Sequence, residues 1–183
     1  MSCRIRFRFA IATDVPISFH CFQAGNTNYE REYGASCIFN GEMMIFGGYN
    51  DRNGWTDLVE KKDAGEDTWQ VMGPWKMPRL LFDFCAAQVD ETHLMIVGGN
   101  EAVNNYVPNV SILDTETAEW RETAPLPVGM AEHECIVGDY GGERGLYLTG
   151  GCTDYCQTQF DHTWFFSFTS ETWVELAPMS TTR

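Results

Sequence analysis

The chain has 183 residues, 14% of them aromatic, and sets 26 acidic side chains against 12 basic ones for a net charge of -14. A domain of this length buries about 70% of its unfolded surface, so its seven cysteines are not the framework of a disulfide-dense scaffold. The acidic balance disfavours nucleic acid, which requires a basic stripe, and no apolar run approaches the length of a membrane-spanning helix.

The first residues alternate Arg4, Arg6 and Arg8 with Ile5, Phe7 and Phe9, which is strand periodicity. The apolar stretch from Phe9 to Ala12 is ended by Asp14 and is too short for a secretory h-region. Without a signal the cytoplasm is favoured, and an extracellular placement stays open because a truncated N-terminus would hide one. Residues 4–12 and 17–23, joined by a turn at Thr13-Asp14-Val15-Pro16, read as a β-hairpin. Phe22 stands 15 residues before Cys37, the spacing that separates Trp120 from Cys135, and Gln23 follows it as Gln70 follows Trp69.

From residue 34 onward one pattern occurs three times. Each copy opens on a strand carrying a cysteine: Cys37-Ile38-Phe39, Cys85-Ala86-Ala87 and Cys135-Ile136-Val137. Next comes an apolar run closed by a glycine pair: Met43 to Phe46 with Gly47-Gly48, Leu94 to Val97 with Gly98-Gly99, and Leu146 to Thr149 with Gly150-Gly151. A third strand is clearest in Val110-Ser111-Ile112-Leu113 and Thr163-Trp164-Phe165-Phe166. Trp69, Trp120 and Trp173 then begin a fourth, 21, 21 and 22 residues after the second glycine, and each leads into a proline-bearing turn. Successive glycine pairs are 51 and 52 residues apart, and a period near fifty marks a repeat architecture.

Glycine at a strand end supplies positive φ and lets neighbouring backbone approach closely. A tryptophan repeated once per sheet is a spacer between adjacent sheets. The cysteines fall at matching places in the opening strand and are expected to act as small free hydrophobes.

Together the glycine pairs, spaced tryptophans, prolines and the arginines Arg79 and Arg183 resemble the kelch repeat family over residues 34–183. The resemblance implies an all-β, kelch-type β-propeller in which each repeat is one four-stranded blade. The family pattern expects a tyrosine seven residues before each tryptophan, where this chain has Lys62, Leu113 and Phe166. Leu113 and Phe166 can pack between sheets; Lys62 does so only by snorkelling. The expected organisation is an N-terminal hairpin and connector over 1–33, the outer half of a blade, followed by blades at about 34–79, 80–130 and 131–183. Three blades and a half do not close a ring, since propellers have four to eight. The chain is therefore expected to be a fragment of a longer protein or a unit that closes by self-association.

Strands that run up and down in turn sort the loops onto two faces. One face gathers Asp63, Glu66, Asp67, Asp90, Glu91, Asp114, Glu116, Glu119, Asp139, Glu143 and Glu171, a solvated acidic surface. The other carries the loops that follow the glycine pairs, with Arg52, Trp55, Asn104, Asn105, Tyr106 and Tyr155, and Trp75 from a connecting turn. Aromatic, amide and arginine side chains are enriched at binding hot spots, and the resemblance implies binding of another protein through this face. No catalytic residue, cofactor or metal ligand set is assigned.

The competing expectations are a metal-dependent enzyme similar to galactose oxidase or the nitrile-specifier proteins, and an extracellular attractin-like propeller. A copper site needs several His and Tyr ligands to converge, and His20, His93, His133 and His162 lie in different strand contexts. The dense run is Glu132-His133-Glu134-Cys135. Cys152 and Cys156 offer either a small disulfide or half of a zinc site, with no second cysteine pair of suitable spacing.

Overall fold

The computed structural model describes residues 27–62, 65, 68–102 and 104–182. The expected hairpin over 4–12 and 17–23, with Phe22, lies outside the described residues, as do Asp63, Glu66, Asp67 and Arg183.

The first blade consists of β1 (Ala35–Phe39), β2 (Glu42–Phe46), a small projecting hairpin β3 (Tyr49–Asn50) and β4 (Gly54–Trp55), then β5 (Val59–Lys62) and β6 (Trp69–Val71). The second is β7 (Cys85–Gln88), β8 (His93–Val97), β9 (Val110–Asp114) and β10 (Glu119–Glu122). The third is β11 (Glu134–Tyr140), β12 (Glu143–Thr149), a hairpin β13 (Cys152–Thr153) and β14 (Thr158–Gln159), then β15 (Thr163–Ser167) and β16 (Trp173–Glu175). Each blade is one antiparallel meander, in the orders β1-β2-β5-β6, β7-β8-β9-β10 and β11-β12-β15-β16. The innermost strands lie side by side, β1 against β7 and β7 against β11. Among the described residues the result is an open arc of three kelch-type blades, not a closed ring.

Alternation along the strands divides each blade into two faces. Ala35, Phe39, Met44, Phe46 and Val59 of the first blade meet Ala86, Leu94, Ile96 and Leu113 of the second in one buried cluster. Cys85, Ala87, Met95, Val97 and Ile112 of the second meet Leu146, Leu148, Trp164 and Phe166 of the third in another. Trp120 packs on the first cluster and Trp173 on the second, as expected of spacers. Leu113 and Phe166 are fully buried where the family expects tyrosine. On the far side of the third blade the same register continues without a cover among the described residues. Ile136 is 38% exposed where its counterpart Ala87 is 5% exposed, and Tyr140 and Val174 are exposed beside it.

The glycine pairs link the blades through their lack of side chains. Gly47 has φ +56, and a Cβ there would come within 2.9 Å of the Leu81 carbonyl oxygen on the lead-in to the next blade. Gly48 has φ +97, and a Cβ there would come within 2.6 Å of the Glu32 carbonyl oxygen on the lead-in to its own blade. One glycine faces forward and the other faces back, so both positions require the smallest residue.

The cysteines depart from expectation in two ways. Their registers differ: Cys37 pairs with Met44, Cys85 with Val97 and Cys135 with Leu148, which are three, one and two residues before their glycine pairs. Cys37 thus faces the first interblade cluster, while Cys85 and Cys135 face one another across the second. Those two are joined as a disulfide with Cα atoms 6.2 Å apart, and only Cys37 is free among the described cysteines. Sequence spacing counted whole residues and missed that a one-residue slip turns a side chain to the opposite face.

The first blade also holds a buried ion pair. Arg31 donates from Nη1 to the carbonyl oxygens of Gly47 and Leu58, each at 3.0 Å, and from Nη2 to the carboxylate of Glu60. Glu60 is fully buried and also accepts the backbone N–H of Asn28 at 2.8 Å. Lys62, opposite Trp69, is half-buried.

Candidate interaction face

Each glycine pair launches a small hairpin or bridged loop from the same end of its blade. The first is β3 with β4, the third is β13 with β14, and in the second Asn100 bridges Tyr106. Each is also stitched to its own lead-in, through Glu32 with Tyr49, Phe82 with Asn100, and Ala131 with Cys152. Just beyond these bridges, Tyr33, Asp83 and Glu132 occupy one equivalent position and all have positive φ, 62°, 54° and 56°. They form a chain of backbone bonds from blade to blade: Asp83 N–H donates to the Tyr33 carbonyl, and Glu132 N–H to the Asp83 carbonyl, both at 2.9 Å.

The site residues expected from sequence fall into three groups. Tyr106 and Tyr155, 49 positions apart, are brought together: the Tyr155 N–H donates to the Tyr106 hydroxyl oxygen at 2.7 Å, joining the second loop to the third. Arg52, Asn104 and Asn105 stand exposed at hairpin tips. Asn50 accepts the N–H groups of Arg52 and Asn53 to hold one tip, while Asn105 donates to Glu101 at 3.3 Å in the next. Trp55 is half-buried, stacked on Phe82 with centroids 4.3 Å apart and leaning on Tyr49 at 4.5 Å. Trp75 lies edge-on to Phe39 at 6.2 Å and packs on the first interblade cluster, so it wedges blades apart instead of joining the hairpins.

Two features of the face are not marked by loop composition. Phe82 and the exposed Tyr33 are aromatic members of the face that sit in the lead-ins, a segment not counted as loop. The lead-ins and tips also contribute exposed Glu30, Glu32, Asp51, Glu132 and Asp154. The expected division into one acidic face and one aromatic, amide-rich face is thereby corrected: this face is aromatic and acidic as well. The near-equal spacing of Tyr33, Asp83 and Glu132, 50 and 49 residues, was the available signal.

Among the described residues, those weighed for chemistry do not converge. His20 lies outside the described residues. His93 bonds Asp90 at 2.9 Å, His162 lies 3.7 Å from Glu175, and His133 is buried. Cys152 and Cys156 are joined across the turn of the third hairpin with Cα atoms 4.8 Å apart. The Glu132 carboxylate lies within 4.8 Å of their sulfurs, but sulfurs bonded to each other are not thiolate ligands. Among the described residues no helix is long and apolar enough to cross a membrane.

His133 lies just below the face and carries a pH dependence. Its Nε2–H donates to the Val97 carbonyl at 3.1 Å, and its Nδ1 is buried without a hydrogen-bond partner among the described residues. Burial pushes its pKa down to about 4, only partly opposed by the bond to Val97. The unfolded side chain titrates near 6.5. Between those values the unfolded chain binds more protons, so stability is full above about pH 6.5 and declines as the pH falls toward about 4, by about 3 kcal/mol over the window. Urea melts across that window are expected to show the decline. His133→Phe, which copies the counterpart Phe84, is expected to remove this share of it; an unchanged slope would contradict the assignment.

Three four-stranded blades, their forward and backward glycines and their spacer tryptophans define a kelch-type propeller domain. Residues 17–183 match the family model described as the KLHDC2/KLHL20/DRC7 Kelch-repeats domain, and the chain belongs to the kelch repeat family. It is 28% identical over 167 residues to Kelch domain-containing protein 3 of Homo sapiens, covering 85% of this chain and 43% of that protein. It is 25% identical over 131 residues to Beta-scruin of Limulus polyphemus, covering 67% of this chain and 13% of that protein. Kelch-like protein 4 of Homo sapiens is 30% identical over 82 residues, 45% of this chain and 11% of that protein. The chain thus spans less than half the length of these relatives.

Proposed function

We propose that this chain is a non-enzymatic protein-interaction module that grips a partner through the hairpin face. The observation that carries the reading is the joining of Tyr106 to Tyr155, which makes separate loops one continuous surface. On the same end of the blades stand the exposed tips Arg52, Asn104 and Asn105, which with the tyrosines give a mixture of rigid aromatic anchors and adaptable polar groups suited to protein contact. The exposed carboxylates of Glu30, Glu32, Glu132 and Asp154 favour a partner segment that is basic, and association is expected to weaken as salt screens it.

The test uses exposed positions that leave the interblade packing intact. Combined Arg52→Ala, Asn105→Ala and Tyr155→Ala is expected to weaken partner binding about 100-fold, the loss of one or two hot spots, with little change in thermal stability. Full affinity in the folded triple variant would refute the face.

A further inference from the structure

The repeat supplies an internal comparison at the outer rim of the two blade junctions. Between the first and second blades, the connecting segment contributes Arg79, whose guanidinium reaches the Glu101 carboxylate at 2.6 Å and the Glu122 carboxylate at 3.7 Å. Glu122 stands two residues after the spacer Trp120, opposite Ser111, whose hydroxyl donates to it at 3.1 Å. The ion pairs with Glu101 and Glu122 raise the Arg79 pKa. This junction therefore holds a guanidinium of its own.

Between the second and third blades the counterparts are shifted by one repeat. Glu175 stands two residues after Trp173 and opposite Trp164, so it takes the place of Glu122. Leu126 docks its N–H on the Pro108 carbonyl as Met77 docks on Asp57; two residues further on, Val128 takes the place of Arg79. The guanidinium is missing; of the two carboxylates that hold Arg79, the one at the place of Glu122 recurs as Glu175, 3.7 Å from His162, while Thr153 stands where Glu101 does. In its place is a groove of about 350 Å³ lined by Pro127, Val128, His162, Trp164, Trp173 and Glu175. The His162 and Trp164 rings are stacked there, 4.7 Å apart and 25° from parallel. The Trp173 indole is held in place by its N–H bond to the Ala124 carbonyl at 3.0 Å.

We infer that this groove receives an arginine side chain from a partner protein, in the place that Arg79 fills at the preceding junction. A planar guanidinium stacks on aromatic rings and pairs with a carboxylate at once, which an ammonium does less well. The groove offers both partners: the half-exposed rings of His162 and Trp173, with Trp164 buried at 4% exposure, and the exposed rim carboxylate of Glu175, together complementary to a cation with a flat apolar face. None of its lining residues is among Arg52, Asn104, Asn105, Tyr106 and Tyr155 of the hairpin face, so failure of one site leaves the other standing.

The test is a titration of the full chain with the blocked tripeptide Ala-Arg-Ala, followed by the Trp173 indole N–H resonance, with Ala-Lys-Ala and Ala-Ala-Ala as comparisons. The expected result is a saturable shift with the arginine peptide and about tenfold weaker binding of the lysine peptide. Glu175→Gln is expected to weaken binding about tenfold, whereas Glu122→Gln leaves it unchanged. Val128→Arg fills the groove from within and is expected to abolish binding; should that variant fail to fold, Glu175→Gln decides. The inference is overturned by an equal response to Ala-Ala-Ala, by unchanged binding in Glu175→Gln, or by no saturable shift up to about 20 mM, weaker than one ion pair on aromatic rings provides.

Discussion

Arg31→Met is expected to destabilise the domain by about 3–5 kcal/mol, the usual result of stripping one partner from a buried pair. Arg31 is 4% exposed and donates to Glu60 and to the carbonyls of Gly47 and Leu58. Burial lowers its pKa despite the nearby Glu60 carboxylate, a sign of how costly that site is for a charge. Without the guanidinium, Glu60 keeps the N–H of Asn28 and is left as a buried anion. The double variant Arg31→Met with Glu60→Leu removes both charges and is expected to lose less than Arg31→Met alone. Urea denaturation of both proteins checks this; a loss under about 1 kcal/mol in the single variant would mean that Glu60 is hydrated or protonated at little cost.

The second large effect is expected at Trp120. This ring packs on the cluster formed by the first two blades, and its indole N–H has no hydrogen-bond partner among the described residues. Trp120→Ala therefore deletes apolar contact and leaves a gap between sheets. The expected loss is about 3 kcal/mol, the lower end for a buried aromatic because the ring is partly exposed. A loss well under 1 kcal/mol in denaturant melts would show that Trp120 does not hold the blades together. Trp173 differs in that its N–H also bonds Ala124 across the second junction, so truncation there removes a hydrogen bond as well.

Most of the fold was legible because the repeat repeats its physics. Gly47-Gly48, Gly98-Gly99 and Gly151 end strands where neighbouring backbone crowds a Cβ, and all six glycines of the three pairs have positive φ. Trp69, Trp120 and Trp173 open or nearly open the outermost strands, as their spacing required. Register was not legible. Cys37, Cys85 and Cys135 look equivalent by counting, yet they pair one, two or three residues before the glycines, and this alone decides that Cys85 meets Cys135 while Cys37 does not.

The face was half legible. Arg52, Asn104, Asn105 and Tyr155 stand at exposed tips because they lie in turns, which composition reveals. Trp75 carries the same composition but turns inward toward Phe39, and nothing local distinguishes it. Tyr33, Phe82 and Glu132 were missed because the lead-ins look like linkers until their backbone bonds are seen. The lead-in carboxylates of Glu30, Glu32 and Glu132 add acidic groups to the aromatic, amide and arginine side chains of the face. The arginine groove was invisible for a related reason: it depends on Val128 replacing Arg79 while Glu175 persists, a comparison that requires the register.

The central claim is that partners are held by the hairpin face. The most direct measurement is site-specific photo-crosslinking with the probe at position 52, 104 or 155 on that face and at position 116, 141 or 170 on the opposite turns. The account predicts one protein crosslinked from the first three positions, competed away by unlabelled chain and lost in the Arg52, Asn105 and Tyr155 triple variant. Crosslinks formed from the opposite turns alone would contradict it.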